Sequence, residues 1–388
     1  MNAPDEHLET AELVALVRRV FRPTPADQRI AVLVDLPGGR RAGDDAWRRR
    51  RAMAADWVLR LQSAAGELGM TTHLFVYPNV GANNADLPLE LFPCDPVVLT
   101  TGDVRPVESG ADATPLTEIL DAHSIVIAPT ELSATAPLKL LARSHKFRAA
   151  TMAGFSAAMI PALRIDYGEV SRRVFAMKEL LDHAVRADLR FVVEGGEPCA
   201  LMLDLRHRTG HASDGILDTN GVAGNLPSGE AYIVPYEGEH PGDPSRSSGQ
   251  LPVQFGDQIV IYEIENNRAI RVHGEGAAAR EQADLLAREP AYGNLAELGL
   301  GVLGDFGLSP TGEILLDEKL GLHIAFGRSD HFGGQVGAAQ FSRPDAVVHI
   351  DRVYIESLQP RIMASLDLVD ESGEATQIVR DSRFVVAF

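Results

Sequence analysis

The chain has 388 residues, 45% of them hydrophobic and 23% charged, a balance that excludes a disordered or fibrous protein and leaves length for two domains. A formal net charge of -18 argues against a nucleic-acid partner, which calls for clustered Lys and Arg. Only Cys94 and Cys199 are present, without a CxxC spacing, so neither a disulfide framework nor a zinc ribbon is indicated and a reducing interior fits best. The first residues, MNAPDEHLETAELV, are acidic and polar where a signal peptide is basic and then apolar. No run approaches the ~18 apolar residues of a membrane span. The expectation is a cytoplasmic chain with no membrane partner.

Taken in order, ETAELVALVRRVF reads as a helix, IAVLVDLP as a buried strand, DDAWRRRRAMAADWVLRLQSAAGELGM as a long helix and THLFVYP as a strand. The basic run Arg48 to Arg51 falls inside that long helix and reads as a solvated face. Next come PVVLTT, the helix-like TPLTEILDA, the strand SIVIAPT, the helix-like ATAPLKLLARS and the strand-like RAATMAG. Strands alternating with helices imply parallel pairing with helices on the faces, so residues 1–188 are expected to form a Rossmann-like open α/β domain. The stretch LPGGRRAGDD after the first strand lacks the glycine spacing of a dinucleotide site.

A helix around residues 167–186 is expected to link this half to a β-rich catalytic domain over residues 189–388, α+β in character. FVVEG, PCALMLDLRHRTG, EAYIVPYEG, QLPVQFGDQIVIYEI and RAIRVHGEG are short β-like runs bounded by Gly, Pro, Asp and Asn, which suggests antiparallel pairing. Two helices are expected in this half, one over AAAREQADLLARE and a shorter one near NLAELGLGV. GEHPGDPSRSSGQ, residues 238–250, reads as a mobile surface loop.

The chemistry gathers in residues 317–354, which hold Glu318, His323, His331, His349 and Asp351 between the strand-like runs LHIAF and AVVHIDRVYI. Side chains at i and i+2 of a strand share a face, so His349 and Asp351 of HID are able to grip one ion. Imidazole with carboxylate suits Zn, Mn, Co or Fe.

With Glu230 in NLPSGEAY and Glu297 in NLAELGLGV, the ordered set GNLPSGE, LAELGLG, DEKLGLHIAFG and HID resembles the aminopeptidase T family of metallopeptidases, in detail over roughly residues 190–360. That resemblance implies Glu230, Glu297, Glu318, His323, His349 and Asp351 as ligands of two divalent metal ions (Zn, Co, Mn or Mg), in a homodimer acting on small peptides or a related small amide. Four carboxylates balance two divalent ions and leave room for a hydroxide, whose formation the metals favour by lowering the pKa of water to ~7. Family members commonly carry a Tyr seven residues after the HIAxG His; here that position is Asp330, followed by His331, which is the candidate donor to a developing oxyanion. A second class that the scaffold resembles, the dihydroxypyridine ring-cleaving dioxygenases, holds one Fe(II) with two His and one Asp. It shares the final HxD but has a His where this chain has Glu297.

Overall fold

The computed structural model describes residues 7–37, 44–100, 113–343 and 346–388. It is a mixed α/β chain that divides into two compact units, residues 1–167 with 215–228 and residues 168–214 with 229–388. Compared with a division after residue 188, two segments change sides. The helix Tyr167–His183 goes with the second unit from residue 168 onward, and residues 215–228 join the first.

In the first unit β1 (Arg29–Leu36), β2 (Thr71–Pro78), β5 (Ile125–Ala128) and β6 (Arg148–Thr151) pair in parallel, while β3 (Glu90–Pro93) and β4 (Thr114–Pro115) extend the sheet antiparallel. After β7 (Ala184–Val193), β8 (Cys199–Asp204) and β9 (His211–Ser213), the chain returns as β10 (Ala223–Asn225) to pair in parallel with β6. That pairing is what draws 215–228 into this unit. The order is β10-β6-β5-β1-β2-β3-β4. β1 is buried at every residue after Arg29, which is why IAVLVDL is apolar without alternation.

The reading of the basic run changes here, and PVVLTT, left without an assignment above, takes a definite form. PVVLTT, β-branched and apolar, is a short helix over Pro96–Thr100, because the Asp95 carboxylate accepts from Val97 N and Pro96 suits a first helical turn; Thr101 lies outside the described residues. Residues 38–43 of the LPGGRRAGDD stretch also lie outside them. Within the helix Asp45–Ser63 the arginines are not one solvated face. Arg48 and Arg49 are exposed, but Arg50 and Arg51 are buried, because a run of four must turn past the sheet on a helix of 3.6 residues per turn. Arg50 donates to Phe155 O at 2.7 Å and pairs with Glu131.

The second unit holds two antiparallel sheets. One has the order β14-β13-β12-β8-β7-β18-β19-β20, built with β12 (Ser248–Phe255), β13 (Gln258–Glu265), β14 (Arg268–His273), β18 (Ile362–Asp370), β19 (Ala375–Arg380) and β20 (Arg383–Phe384). The other has the order β17-β16-β15-β11-β9, with β11 (Glu230–Ile233), β15 (Leu295–Gly301), β16 (Leu322–Gly327) and β17 (His349–Val353). The stretch NLAELGLGV is thus no helix: its Leu, Ala and Glu favour one, but the segment lies in mid-sheet as β15 with every residue buried, and packing overrides propensity. Residues 238–250 are also more tightly held than a mobile loop. Tyr236 Oη donates to Asp243 O at 2.7 Å, Arg206 grips the Asp243 carboxylate at 2.9 Å, and Ser245 and Ser247 are buried.

A candidate metal centre on the five-stranded sheet

Alternation gives this sheet two unlike faces. Ala231 and Ile233 of β11, Leu298 and Leu300 of β15, and Ile324 and Phe326 of β16 form the apolar face. Phe326 packs there against the rings of Tyr262 and Tyr292, centroids 4.8 and 5.6 Å away. The opposite face carries Glu230 and Tyr232 of β11, Glu297 of β15, His323 of β16, and His349 and Asp351 of β17. Register makes them neighbours: Tyr232 pairs with Gly299, Gly299 with His323, Ala325 with both Glu297 and Asp351, and Gly327 with His349.

The glycines of LAELGLG make this crowding feasible. A Cβ on Gly299 would lie 1.9 Å from His323 Nε2, and one on Gly301 would lie 2.3 Å from the Lys319 carbonyl carbon. Two side chains are missing from β15 so that a buried imidazole and the chain carrying Glu318 and Lys319 occupy their space.

All six sequence-nominated ligand residues meet on this face or at its edge. His323 Nε2 lies 3.2 Å from Glu297 Oε1 and 3.5 Å from Glu230 Oε2. His349 Nε2 lies 3.4 Å from Glu297 Oε2 and 3.5 Å from Asp351 Oδ1. Glu297 therefore sits between the two imidazoles, one oxygen toward each. Ligand atoms of Glu230, Glu297 and His323 all fall within 4.8 Å of one another, a spacing able to hold a metal ion. Gly321 O lies 3.2 Å from His323 Nδ1, and Arg328 O lies 2.8 Å from His349 Nδ1. Backbone oxygens thus take the Nδ1 protons and leave both Nε2 atoms facing the carboxylates.

Lys319 is the residue whose role the sequence reading passed over. It is wholly buried, and Nζ donates to Glu230 Oε1 at 2.5 Å and to Glu318 Oε1. Its ammonium neutralises one of four clustered carboxylates, so the balance of four carboxylates against two divalent ions shifts by one charge. Even so, Glu230 Oε2 is buried without a hydrogen-bond partner. The nearest cation is His323, whose Nε2 lies 3.5 Å away without forming a hydrogen bond, so the oxygen has an acceptor lone pair open to a closer cation.

Titration reflects the same crowding. Burial pushes Glu318 up to about 8, helped by Asp351 and Glu230 and opposed by Lys319. Burial works against ionisation of Glu297 as well, but His323 and His349 hold it down at about 2. Burial depresses His323, yet Glu297 and Glu230 raise it to about 9; His349 is likewise raised by Asp351 and Glu297. Without a metal, the imidazoles serve as the missing cations.

His331 stands at the border of the site. It is on the loop after β16, its side chain 28% exposed, with its ring centroid 5.5 Å from that of His349. Burial, His349 and Arg328 lower its pKa to about 4, so it is neutral near pH 7. Asp330, where the resembled family carries Tyr, pairs with Arg328 at 2.6 Å and lies 3.5 Å from His331 Nδ1. Glu237 braces this loop, accepting from Ser329 Oγ at 2.6 Å, Asn294 Nδ2 at 2.7 Å and Gln335 N. Tyr232 was also missed, although its place two residues after Glu230 on a strand was the available signal. A cavity of about 870 Å³ lined by Leu308, Leu322, Ile355 and Phe384 contains none of the six residues, and chemistry outranks volume in choosing the site.

No family model matches the chain, and no curated protein sequence matches it. Solved structures do. The 2,5-dihydroxypyridine dioxygenase from Pseudomonas putida KT2440 aligns with a TM-score of 0.61 at 16% identity, covering 98% of this chain and 99% of that one. Wild-type AmpT from Thermus thermophilus aligns with a TM-score of 0.56 at 15% identity, covering 97% and 99%. Both families that the sequence motifs resemble are therefore represented among the proteins sharing this fold, and the neighbours are enzymes. Among the described residues, no helix is long and apolar enough to cross a membrane.

Proposed function

We propose that this chain is a dinuclear metal-dependent hydrolase, an aminopeptidase that removes N-terminal residues from peptides or cleaves a related small amide. The observation that carries the reading is Glu230 Oε2, buried without a hydrogen bond beside Glu297 and His323, with the ligand atoms of the three within 4.8 Å of one another. An oxygen and imidazole donor set fits Zn, Co, Mn or Mg. In this reading Glu230, Glu297, Glu318, His323, His349 and Asp351 hold the ions, with Glu297 between the two imidazoles and suited to bridging. Bound divalent ions would polarise a scissile carbonyl and lower the pKa of a nearby water. With Lys319 counted, four ionised carboxylates and two divalent ions leave one positive charge, which suits an anionic ligand. Lys319 fixes Glu230 and Glu318 in place, and neutral His331 is read as a hydrogen-bonding group toward the reacting carbonyl. The first unit is read as a Rossmann-like support and the assembly as a homodimer. The likeness in fold to AmpT supports the hydrolase reading, and the retained Glu297 and His323 supply the carboxylate-rich ligand set it requires.

The second reading is a ring-cleaving dioxygenase with one iron. The likeness in fold to the dihydroxypyridine dioxygenase favours it, as does the availability of His323, His349 and Asp351 as two imidazoles and a carboxylate. One experiment divides the two. Protein loaded with Zn, Co or Mn is assayed on aminoacyl p-nitroanilides and dipeptides, and iron-loaded protein is assayed for oxygen uptake with 2,5-dihydroxypyridine. Amide cleavage that depends on Glu297 supports the hydrolase; oxygen-dependent ring loss without amide cleavage replaces it.

A further inference from the structure

The face that carries the cluster holds one polar group to which none of the foregoing gives a role. Tyr232 is 8% exposed, yet its hydroxyl has no hydrogen-bond partner among the described residues. Its ring is clamped: His211 stacks on it with centroids 5.1 Å apart and planes 21° from parallel, while Phe332 meets it edge-on at 4.9 Å. Phe332 in turn lies 5.5 Å from the His349 ring. A phenol fixed by two rings has little freedom, so its O–H direction is set in advance.

Register fixes where that direction lies. Tyr232 shares its face with Glu230 two residues earlier, and its cross-strand partner is Gly299. The side chain that Gly299 lacks is replaced by the His323 imidazole, so the neighbour of Tyr232 along this row is the imidazole itself. The charges of Glu297, Glu230, Lys319 and Glu318 all act on the phenol. The Tyr232 O–H is a donor with no acceptor among the described residues, and its oxygen, unlike Glu230 Oε2, keeps contact with solvent, so an incoming group is able to reach it. A substrate oxygen would fill that place.

We propose that Tyr232 is a catalytic residue whose hydroxyl donates a hydrogen bond to the carbonyl oxygen of the substrate as it gains negative charge, alongside His331. The proposal rests on the hydrolase reading given above. No proton is transferred; the donor is pre-aimed at charge that develops only in the transition state, which is where such a bond accelerates reaction.

The test compares the full chain with Tyr232→Phe, both loaded with the same metal. Four quantities are measured: metal per chain, melting temperature, kcat and KM on L-leucine p-nitroanilide, and calorimetric affinity for leucine and for its aminophosphonate analogue, which presents tetrahedral anionic oxygens. Metal content and melting temperature should not change, because the hydroxyl has no partner to lose. KM and leucine affinity should stay within about twofold, while kcat falls about 100-fold and phosphonate affinity falls more than about tenfold. An unchanged kcat and phosphonate affinity would overturn the role of Tyr232 and leave the hydrolase reading standing. A variant that loses metal or melts early would overturn it too, by making Tyr232 structural. Metal-loaded wild type that neither cleaves the anilide nor binds the phosphonate would overturn the hydrolase reading and the proposal together.

Discussion

Each unit of the molecule buries a group of charges, and the two groups are built on opposite rules. In the first unit, Asp27 and Arg148 are 7% and 2% exposed and pair directly, with Arg148 also donating to Phe21 O at 2.8 Å. Asp35, equally deep, accepts from Glu131 N at 2.8 Å and Leu132 N at 3.1 Å, while Arg50 takes Glu131 and Phe155 O. Every carboxylate there has a partner of its own. In the second unit, four carboxylates share one ammonium, two imidazoles lean on them, and Glu230 Oε2 has no hydrogen bond, with His323 Nε2 3.5 Å away. Carboxylates with fixed partners tie elements together; a cluster whose carboxylates outnumber its one permanent cation, and that relies on protonated imidazoles for the rest, is suited to take up metal cations in their place.

Substitutions can break that contrast from either side. The largest effect is expected from Glu297→Ala: metal affinity and activity fall by more than about 100-fold, and the metal-free fold also loses stability because His323 and His349 lose the carboxylate between them. Atomic absorption and thermal melts of apo protein check both halves. Arg148→Leu should cost about 3–5 kcal/mol in denaturant unfolding by stranding Asp27, but with metal per folded chain unchanged.

A pH test follows next in size. Burial raises Asp35 from its ordinary value to about 6 against the pull of the Leu132 amide and Arg50. Below about pH 4 Asp35 is protonated folded and unfolded alike. As pH rises toward 6 the unfolded chain loses its proton first, so this group lowers stability across that window and holds a constant penalty above it. Asp35→Asn should therefore gain on wild type between pH 4 and 6 by about 2–3 kcal/mol, read from paired denaturant curves. A difference flat with pH would mean that Asp35 titrates normally. The smallest expected change is Gly299→Ala. Its Cβ would overlap the buried His323 ring, so the fold loses about 1–3 kcal/mol and metal binding weakens at least about tenfold.

Much of this was legible in the sequence for a physical reason: strands and ligands have short, fixed spacings. HID put two donors on one face because alternation is local, and Glu318 lies five residues before His323 in a single readable run. What the sequence hid was long-range. Glu297 sits in residues whose propensities favour a helix, and it is pairing with β11 and β16, far away in the chain, that makes them a strand. Lys319 was in plain sight inside DEK, but lysines are so often exposed that its burial between Glu230 and Glu318 emerged only when strands far apart in the chain were paired. Tyr232 lacks a motif altogether. Arg50 and Arg51 mislead for the converse reason, since a basic run looks solvated until a helix turns half of it inward.

The most direct measurement is the metal content of the chain purified without chelator, wild type beside Glu297→Ala. About two Zn, Co, Mn or Mg ions per chain, lost in the variant, is the expected result. A single iron indifferent to Glu297, or no metal under any loading condition, would contradict the idea that the carboxylate and imidazole cluster of the second unit is there to hold a pair of divalent ions.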